Sequence, residues 1–328
     1  MILVTGGTGF LGSTLIRQLL TSGKKVRATK RPTSQIPADL SKHPQMEWVD
    51  AALNNYFELQ DAFSGATQVY HCAAFVSLDP QDRQQLLETN VEGTAHVANL
   101  ALENGVRLLH VSSIAAIGEP APNKQLATEN DIWEFNGKQS SYAISKYEAE
   151  MEVWRSMEEG LDAVIINPSV IIGAHAGESG SGALFYTVKR GLPYYPTGSI
   201  GVVDVEDVAT IAIALMESDI SHERFILNAE NLSYQSLFQK TAQYLGVQAP
   251  TKKLSNTVLQ LTWRAAKLAS IFNGKRAKLT KDTVRSAQKK QAYSNEKIRK
   301  LLDFHFKPID HSLQDIAIAI NNHGSNHQ

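Results

Sequence analysis

The feature that most limits what this chain can become is a short run near its start, Thr5-Gly6-Gly7-Thr8-Gly9-Phe10-Leu11-Gly12. It follows the apolar stretch Ile2-Leu3-Val4 and leads into Phe10, Leu11, Leu15, Ile16, Leu19 and Leu20, which recur at helical spacing. Gly6, Gly9 and Gly12 stand three apart. The first such glycine permits a tight turn, the second lets a pyrophosphate approach the backbone, and the third lets helix and strand pack closely. The free N–H groups at the helix start then face phosphate oxygens. The spacing departs by one residue from G-x-G-x-x-G, and a turn that serves packing alone is the plainer alternative. Its place directly after a strand favours a dinucleotide site.

The rest of the first half repeats the alternation. Strands are expected at 25–30, 46–49, 67–72, 107–112 and 163–166, and helices at 55–63, 81–103 and 140–159. Strands alternating with helices predict an α/β fold, a Rossmann-type doubly wound parallel sheet covered on both faces. After Pro168 the pattern weakens: 177–182 and 193–198 read as loops, 202–208 and 224–228 as strands, and the chain from Leu254 as helical. The expected division is a dinucleotide-binding domain over 1–167, completed by 202–228. Segments 168–201 and 229–328 would form a smaller, mostly helical substrate lobe.

The 328 residues are 43% hydrophobic, enough for a sizeable core, and a formal net charge of -1 gives no reason to expect nucleic acid. No charged-then-apolar leader and no apolar run of membrane-spanning length is present, so a cytoplasmic location is expected. Cys72, the one cysteine, cannot form an internal disulfide and reads as a buried, inert thiol. The ten histidines show no metal-ligand spacing, so no metal is expected, and His71 reads as a packed residue. Charge is uneven: 251–300 carries fourteen basic residues against Asp282 and Glu296. A solvated helical surface is the expected role. An anionic substrate, an acidic partner or contact of the amphipathic stretch 258–272 with a membrane surface are the alternatives.

The end of the second strand bears on the cofactor. Sheets that bind NAD usually carry an acid there for the ribose hydroxyls. This chain has Lys24, Lys25, Arg27, Lys30 and Arg31, with no acid until Asp39. Arg31 is suited to clamp a 2′-phosphate through paired hydrogen bonds, so NADP is favoured over NAD, against the plainer reading of a solvated basic turn. Further along, Ser141-Tyr142-Ala143-Ile144-Ser145-Lys146 places Tyr142 and Lys146 four apart on one helix face. An ammonium beside a phenol favours the phenolate and brings it toward a working pH.

Together these motifs resemble the extended short-chain dehydrogenase/reductase superfamily, also called the NAD-dependent epimerase/dehydratase family. The resemblance runs over nearly the whole chain. It includes the turn at 5–12, Asp50, His71-Cys72-Ala73-Ala74, Asn90-Val91-Glu92-Gly93-Thr94, Val111-Ser112-Ser113, Tyr142 with Lys146, Asn167-Pro168-Ser169 and the segment 203–209. It implies that Tyr142 is the catalytic acid/base, and that Lys146 lowers its pKa and holds the nicotinamide ribose. The cofactor site would take Gly6, Gly7, Thr8, Gly9, Phe10, Leu11 and Gly12 at the turn, Asp50 at the adenine with Ala51, and Cys72, Ala73 and Ala74 beside the dinucleotide. Pro168, Ser169 and Val170 would close over the nicotinamide. Asn90 would support the cofactor-side loop or serve the fold alone. The family's serine, counted back from Gly118, falls on Ser113, with Ser112 as runner-up. Asp204 and Asp207 are expected to cap the next helix. Homodimers through the helices at 81–103 and 140–159 are a further implication.

The expected reaction is hydride transfer between the nicotinamide and a small-molecule carbonyl or secondary alcohol. Ile114-Ala115-Ala116 stands where sugar dehydratases of the superfamily carry an acidic pair, so dehydration is excluded. A nucleotide-sugar epimerase with tightly bound NAD is the alternative. Ser199-Ile200-Gly201 lacks the diphosphate-binding arginine of epimerases, for which Lys189 or Arg190 would have to compensate. The segment 26–31 resembles dihydroflavonol 4-reductases and 3β-hydroxysteroid dehydrogenases. A non-catalytic NADP sensor is the third reading, disfavoured because both Tyr142 and Lys146 are present.

Overall fold

A computed structural model of the chain describes residues 1–121, 124–255, 258–259, 263–264 and 280–325. Its strands in chain order are β1 (Ile2–Thr5), β2 (Val26–Lys30), β3 (Met46–Asp50), β4 (Gln68–His71), β5 (Arg107–Val111), β6 (Ala163–Pro168), β7 (Val170–Ile172), β8 (Tyr194–Tyr195), β9 (Ser199–Asp204), β10 (Glu223–Leu227), β11 (Glu230–Ser233) and β12 (Lys252–Lys253). The helices are α1 (Phe10–Thr21), α2 (Tyr56–Phe63), α3 (Arg83–Leu86), α4 (Gly93–Glu103), α5 (Ser141–Glu158), α6 (Gly182–Lys189), α7 (Val205–Met216), α8 (Tyr234–Leu245), α9 (Lys281–Gln288), α10 (Glu296–Leu302) and α11 (Ile309–Ser325).

Seven strands form one parallel sheet in the order β10-β6-β5-β4-β1-β2-β3. The chain winds outward from β1 to β3, then restarts at β4 on the other side of β1. That reversal opens a crevice at the carboxyl ends of the strands, where ligands of doubly wound sheets bind. Both faces are dry. Leu15, Ile16 and Leu19 of α1 with Val208, Ile211 and Leu215 of α7 cover one face, and Leu59, Val97, Ala101, Val153 and Met157 from α2, α4 and α5 cover the other. A separate cluster, including Phe185, Val202, Leu237, Phe238 and Leu313, joins α6, α8 and α11 to a small sheet ordered β11-β9-β7. The smaller lobe is therefore helical around a sheet of its own.

Two expectations need correction. The strand read over 202–208 ends at Asp204, whose carboxylate accepts the N–H of Glu206 and starts α7 at Val205. Alternating valines look alike in either state, and the Asp204 cap with Glu206 and Asp207 in the first turn decides for helix. The helix expected over 81–103 is continuous but uneven, with a 3₁₀ turn at Pro80–Asp82 and a π-helical segment at Leu87–Glu92 before α4. The chain beyond Leu254 is helical at α9 to α11, but most of the amphipathic stretch 258–272 lies outside the described residues. No described helix is long and apolar enough to cross a membrane.

Candidate active site

Every strand end that the sequence singles out lies along one edge of the sheet. Gly6 follows β1, Arg31 follows β2, Asp50 closes β3, Cys72 follows β4, Ser112 and Ser113 follow β5, and Pro168 closes β6. The glycines of the first turn serve two purposes. Gly6 has φ +71°, and a Cβ there would lie 2.7 Å from the Ala73 Cα; one on Gly12 would lie 2.3 Å from the Gly6 carbonyl oxygen. These positions need glycine for packing. Gly9 is freer, its nearest contact being the Gly6 oxygen at 3.2 Å, and as N-cap of α1 it brings no side chain to the helix's first N–H groups. A cleft of about 510 Å³ opens there, lined by Thr8, Gly9, Phe10, Arg17 and His175 among others. An uncapped helix start facing a cleft fits a pyrophosphate.

The basic cluster around β2 is mostly spoken for. Lys24 pairs with Glu217 at 3.1 Å, Arg27 with Glu47 at 3.1 Å, and Lys30 with Asp50. Arg27 also donates to the carbonyls of Ala62 and Ser64. Asp39 is held by Arg17 at 2.7 Å, and the Ala51 N–H bonds the Lys30 carbonyl at 3.0 Å. Among the described residues Lys25 and Arg31 have no ion-pair partner, and Arg31 is the one past the carboxyl end of β2. It is exposed.

At β4, His71 is fully buried with its ring nitrogens 2.7 Å from Thr5 Oγ1 and 3.0 Å from Thr94 Oγ1. Burial pushes it down to about 3, so it packs as a neutral ring. Thr5 Oγ1 also accepts the Ala73 N–H at 3.3 Å, which fastens the Cys72–Ala74 backbone to the glycine turn. Cys72 is half-buried rather than buried, and desolvation raises its thiol to about 12 against the pull of Lys146. Asn90, in the π-helical segment, accepts the Phe75 N–H at 2.7 Å and donates to the Phe75 carbonyl at 2.9 Å and to Ser145 Oγ at 3.0 Å. It ties the loop after β4 to α5.

Helix α5 is capped by Ser140, whose hydroxyl accepts the Ala143 N–H, and this sets Tyr142 in the first turn. Burial raises the Tyr142 phenol, and the Ser113 hydroxyl beside it lowers it. Lys146 is buried one turn on and donates to the Val111 carbonyl at 2.9 Å; burial takes it down to about 8, with Glu150 opposing. The direction at Tyr142 differs from expectation, because the ammonium is directed at the Val111 carbonyl while desolvation dominates the phenol. The two serines point opposite ways, as strand neighbours do. Ser113 meets Tyr142, whereas Ser112 Oγ donates to Glu150 Oε2 at 2.6 Å.

Sequence reasoning missed the polar group behind this site. Glu150 is fully buried and, besides Ser112, accepts from Asn167 Nδ2 at 2.7 Å and Arg224 Nη1 at 3.0 Å. The one available signal was Glu150 lying four residues after Lys146. Pro168, Ser169 and Val170 run from the end of β6 into β7, with the Ser169 N–H on the Leu227 carbonyl at 2.9 Å. No metal-holding cluster occurs among the described residues.

Comparison with known proteins agrees with this geometry. The model of the NAD dependent epimerase/dehydratase family matches residues 2–228. A Synechocystis sp. protein assigned as a dihydroflavonol 4-reductase is 32% identical over 98% of this chain and 94% of its own length. Sterol demethylase protein B of Methylococcus capsulatus is 31% identical over 79% of this chain and 78% of its own. The crystal structure of gox2253 superposes with a TM-score of 0.84 at 29% identity, covering 99% of this chain and 98% of that one. With the glycine turn, the strand order and the Tyr-Lys helix in agreement, the chain belongs to the NAD-dependent epimerase/dehydratase family, as an NAD(P)-dependent enzyme of the extended short-chain dehydrogenase type.

Proposed function

We propose that this enzyme is an NADP-dependent reductase of a small-molecule carbonyl, running in reverse on the secondary alcohol, with Tyr142 as its acid/base. The observation that carries this reading is Tyr142 beside the Ser113 hydroxyl with Lys146 buried one turn behind it, at the carboxyl edge of a doubly wound sheet. When bound, the nicotinamide supplies the hydride. The Ser113 hydroxyl holds the carbonyl oxygen, and Tyr142 delivers its proton to that oxygen. Lys146 keeps two N–H donors beyond the one on Val111, and these would hold the nicotinamide ribose. Gly6 to Gly12 would hold the pyrophosphate, Asp50 and Ala51 the adenine side, and Ala73, Ala74 and Pro168 to Val170 the nicotinamide half. Arg31, the unpaired cation past β2, supports NADP over NAD.

A nucleotide-sugar epimerase fits less well. Lys189 donates to the Ile320 carbonyl at 2.9 Å and Arg190 pairs with Glu178 at 2.5 Å, so both stand-ins for the missing arginine are engaged. A panel of carbonyl compounds and nucleotide sugars, followed by NADPH absorbance, tests the proposal. Net NADPH oxidation is expected; an isomerised sugar without net oxidation overturns it.

A further inference from the structure

We propose that Glu150 is the positioning residue of this site: its buried carboxylate fixes the strand end that carries Ser113 against Tyr142, and supplies the negative charge facing Lys146 from the next helix turn. This rests on the reductase reading above. Glu150 Oε2 accepts from Ser112 Oγ at 2.6 Å and from Asn167 Nδ2 at 2.7 Å, while Oε1 accepts from Arg224 Nη1 at 3.0 Å and Trp154 Nε1 at 3.3 Å. Asn167 Nδ2 also donates to the Ser113 carbonyl at 3.0 Å, and the Ser112 N–H bonds the Ile166 carbonyl at 2.8 Å. The 112–113 backbone is thus held on both sides by groups that converge on one carboxylate. Four donors meeting two oxygens need an acceptor-only group; a glutamine would turn its NH₂ toward two of them.

A purely structural role explains this less well. A buried ion pair is weak evidence for stability, since apolar residues of similar volume often replace one without loss. Here the pair lies behind the site, joined through Asn167 to the Ser113 carbonyl and one helix turn from Lys146. Arg224 reaches past Glu150 to the carbonyls of Glu129 and Asp131, so the same group also anchors the loop ahead of α5.

The groups facing Lys146 are Tyr142 and Glu150 on its own helix, His71 and Cys72 from β4 and the turn after it, and His110 from β5. Burial keeps both histidines neutral and the thiol protonated. Glu150 is the carboxylate that raises Lys146, and Arg224 from β10 is the cation facing it in turn. Removing the Glu150 charge lets Lys146 release its proton at lower pH.

The experiment uses the full chain with ¹⁵Nζ-labelled lysine, Lys146 being assigned by its loss in Lys146→Met. Glu150→Gln and the pair Glu150→Gln/Arg224→Met, which leaves no unpaired buried cation, are checked for fold by circular dichroism. The Lys146 titration is expected to fall by at least about one pH unit, and kcat by about tenfold or more, with the NADPH Kd within about threefold. Ser112→Ala, which removes the shortest bond to Glu150 and keeps the charge, should lower kcat with the Lys146 titration unmoved. Folded Glu150 variants with unmoved titration and near-native kcat overturn the proposal. If both unfold, an unchanged kcat in Ser112→Ala overturns the positioning role. The titration needs no turnover, so an unproductive substrate panel counts against the reductase reading alone.

Discussion

Tyr142 sits under two opposing influences, burial raising its phenol and the Ser113 hydroxyl lowering it, so at neutral pH the proton is on the tyrosine and ready to be given. Tyr142→Phe keeps the ring and removes that proton. Turnover should fall about 10²- to 10⁴-fold while NADPH affinity, read by quenching of protein fluorescence, stays within about threefold; retained turnover ends the assignment. Charge-assisted hydrogen bonds to a phosphate contribute about 1.5–3 kcal/mol, so Arg31→Ala should weaken NADPH about tenfold to a hundredfold and leave NADH nearly unchanged. Equal losses for the two cofactors in titrations would take Arg31 off the 2′-phosphate. The Tyr-Lys spacing was legible because a helix face is a matter of counting. The family resemblance already favoured Ser113 over Ser112, whereas Glu150 was invisible because a glutamate on a helix reads as a solvated charge until its burial is seen.

Among the elements, the long segment before β5 departs most from its simple pattern. Hydrophobic spacing over 81–103 predicts one helix, and the chain does run as one, but it widens at Leu87–Glu92. Inserted turns of this kind gather at functional sites, and here the wide turn carries Asn90 to the Phe75 backbone and Ser145. Asn90→Ala leaves the Phe75 N–H without its partner. A destabilisation of about 1–3 kcal/mol is expected, with faster hydrogen exchange of the loop after β4 and a weaker NADPH Kd. Loss of stability with unchanged exchange and cofactor affinity would confine Asn90 to the fold. The helix at 205–216 makes the complementary point: its Asp204 cap was readable as a cap, but a run of alternating valines could not say where strand stops.

Across the whole molecule, buried histidines link stability to pH. Unfolded, a histidine takes its proton near 6.5, whereas His71 in the fold resists until about 3. The unfolded chain therefore binds the extra proton between those values, so stability is full above about 6.5 and lost as pH falls toward 3. His71 alone should cost about 2 kcal/mol between pH 6.5 and pH 5, and His110 acts in the same direction. Urea unfolding at pH 7 and pH 5 should show a drop that shrinks in His71→Gln, whose amide can still reach both threonines; an equal drop in the variant removes His71 as its source. Within the described part of the basic 251–300 stretch, three residues reach neighbouring loops. Thr280 Oγ1 donates to the Leu78 carbonyl at 2.8 Å, Arg285 to the Lys138 carbonyl, and Lys289 pairs with Glu119 at 2.8 Å, so the region of α9 fastens three loops that border the site.

By itself the sequence determined whatever depends on neighbours along the chain. That covers the strand-turn-helix of the glycine run, the alternation that makes a parallel sheet, and the i, i+4 pairing of Tyr142 with Lys146. These follow from backbone geometry and periodicity, which act over a few residues. Tertiary structure alone decided that Ser112 turns away to Glu150, which of the basic residues around β2 are left unpaired, and that Glu150 lies dry between Ser112, Asn167 and Arg224. Those outcomes turn on burial and on partners distant along the chain, such as Arg224 seventy-four residues from Glu150, and neither is written in local spacing.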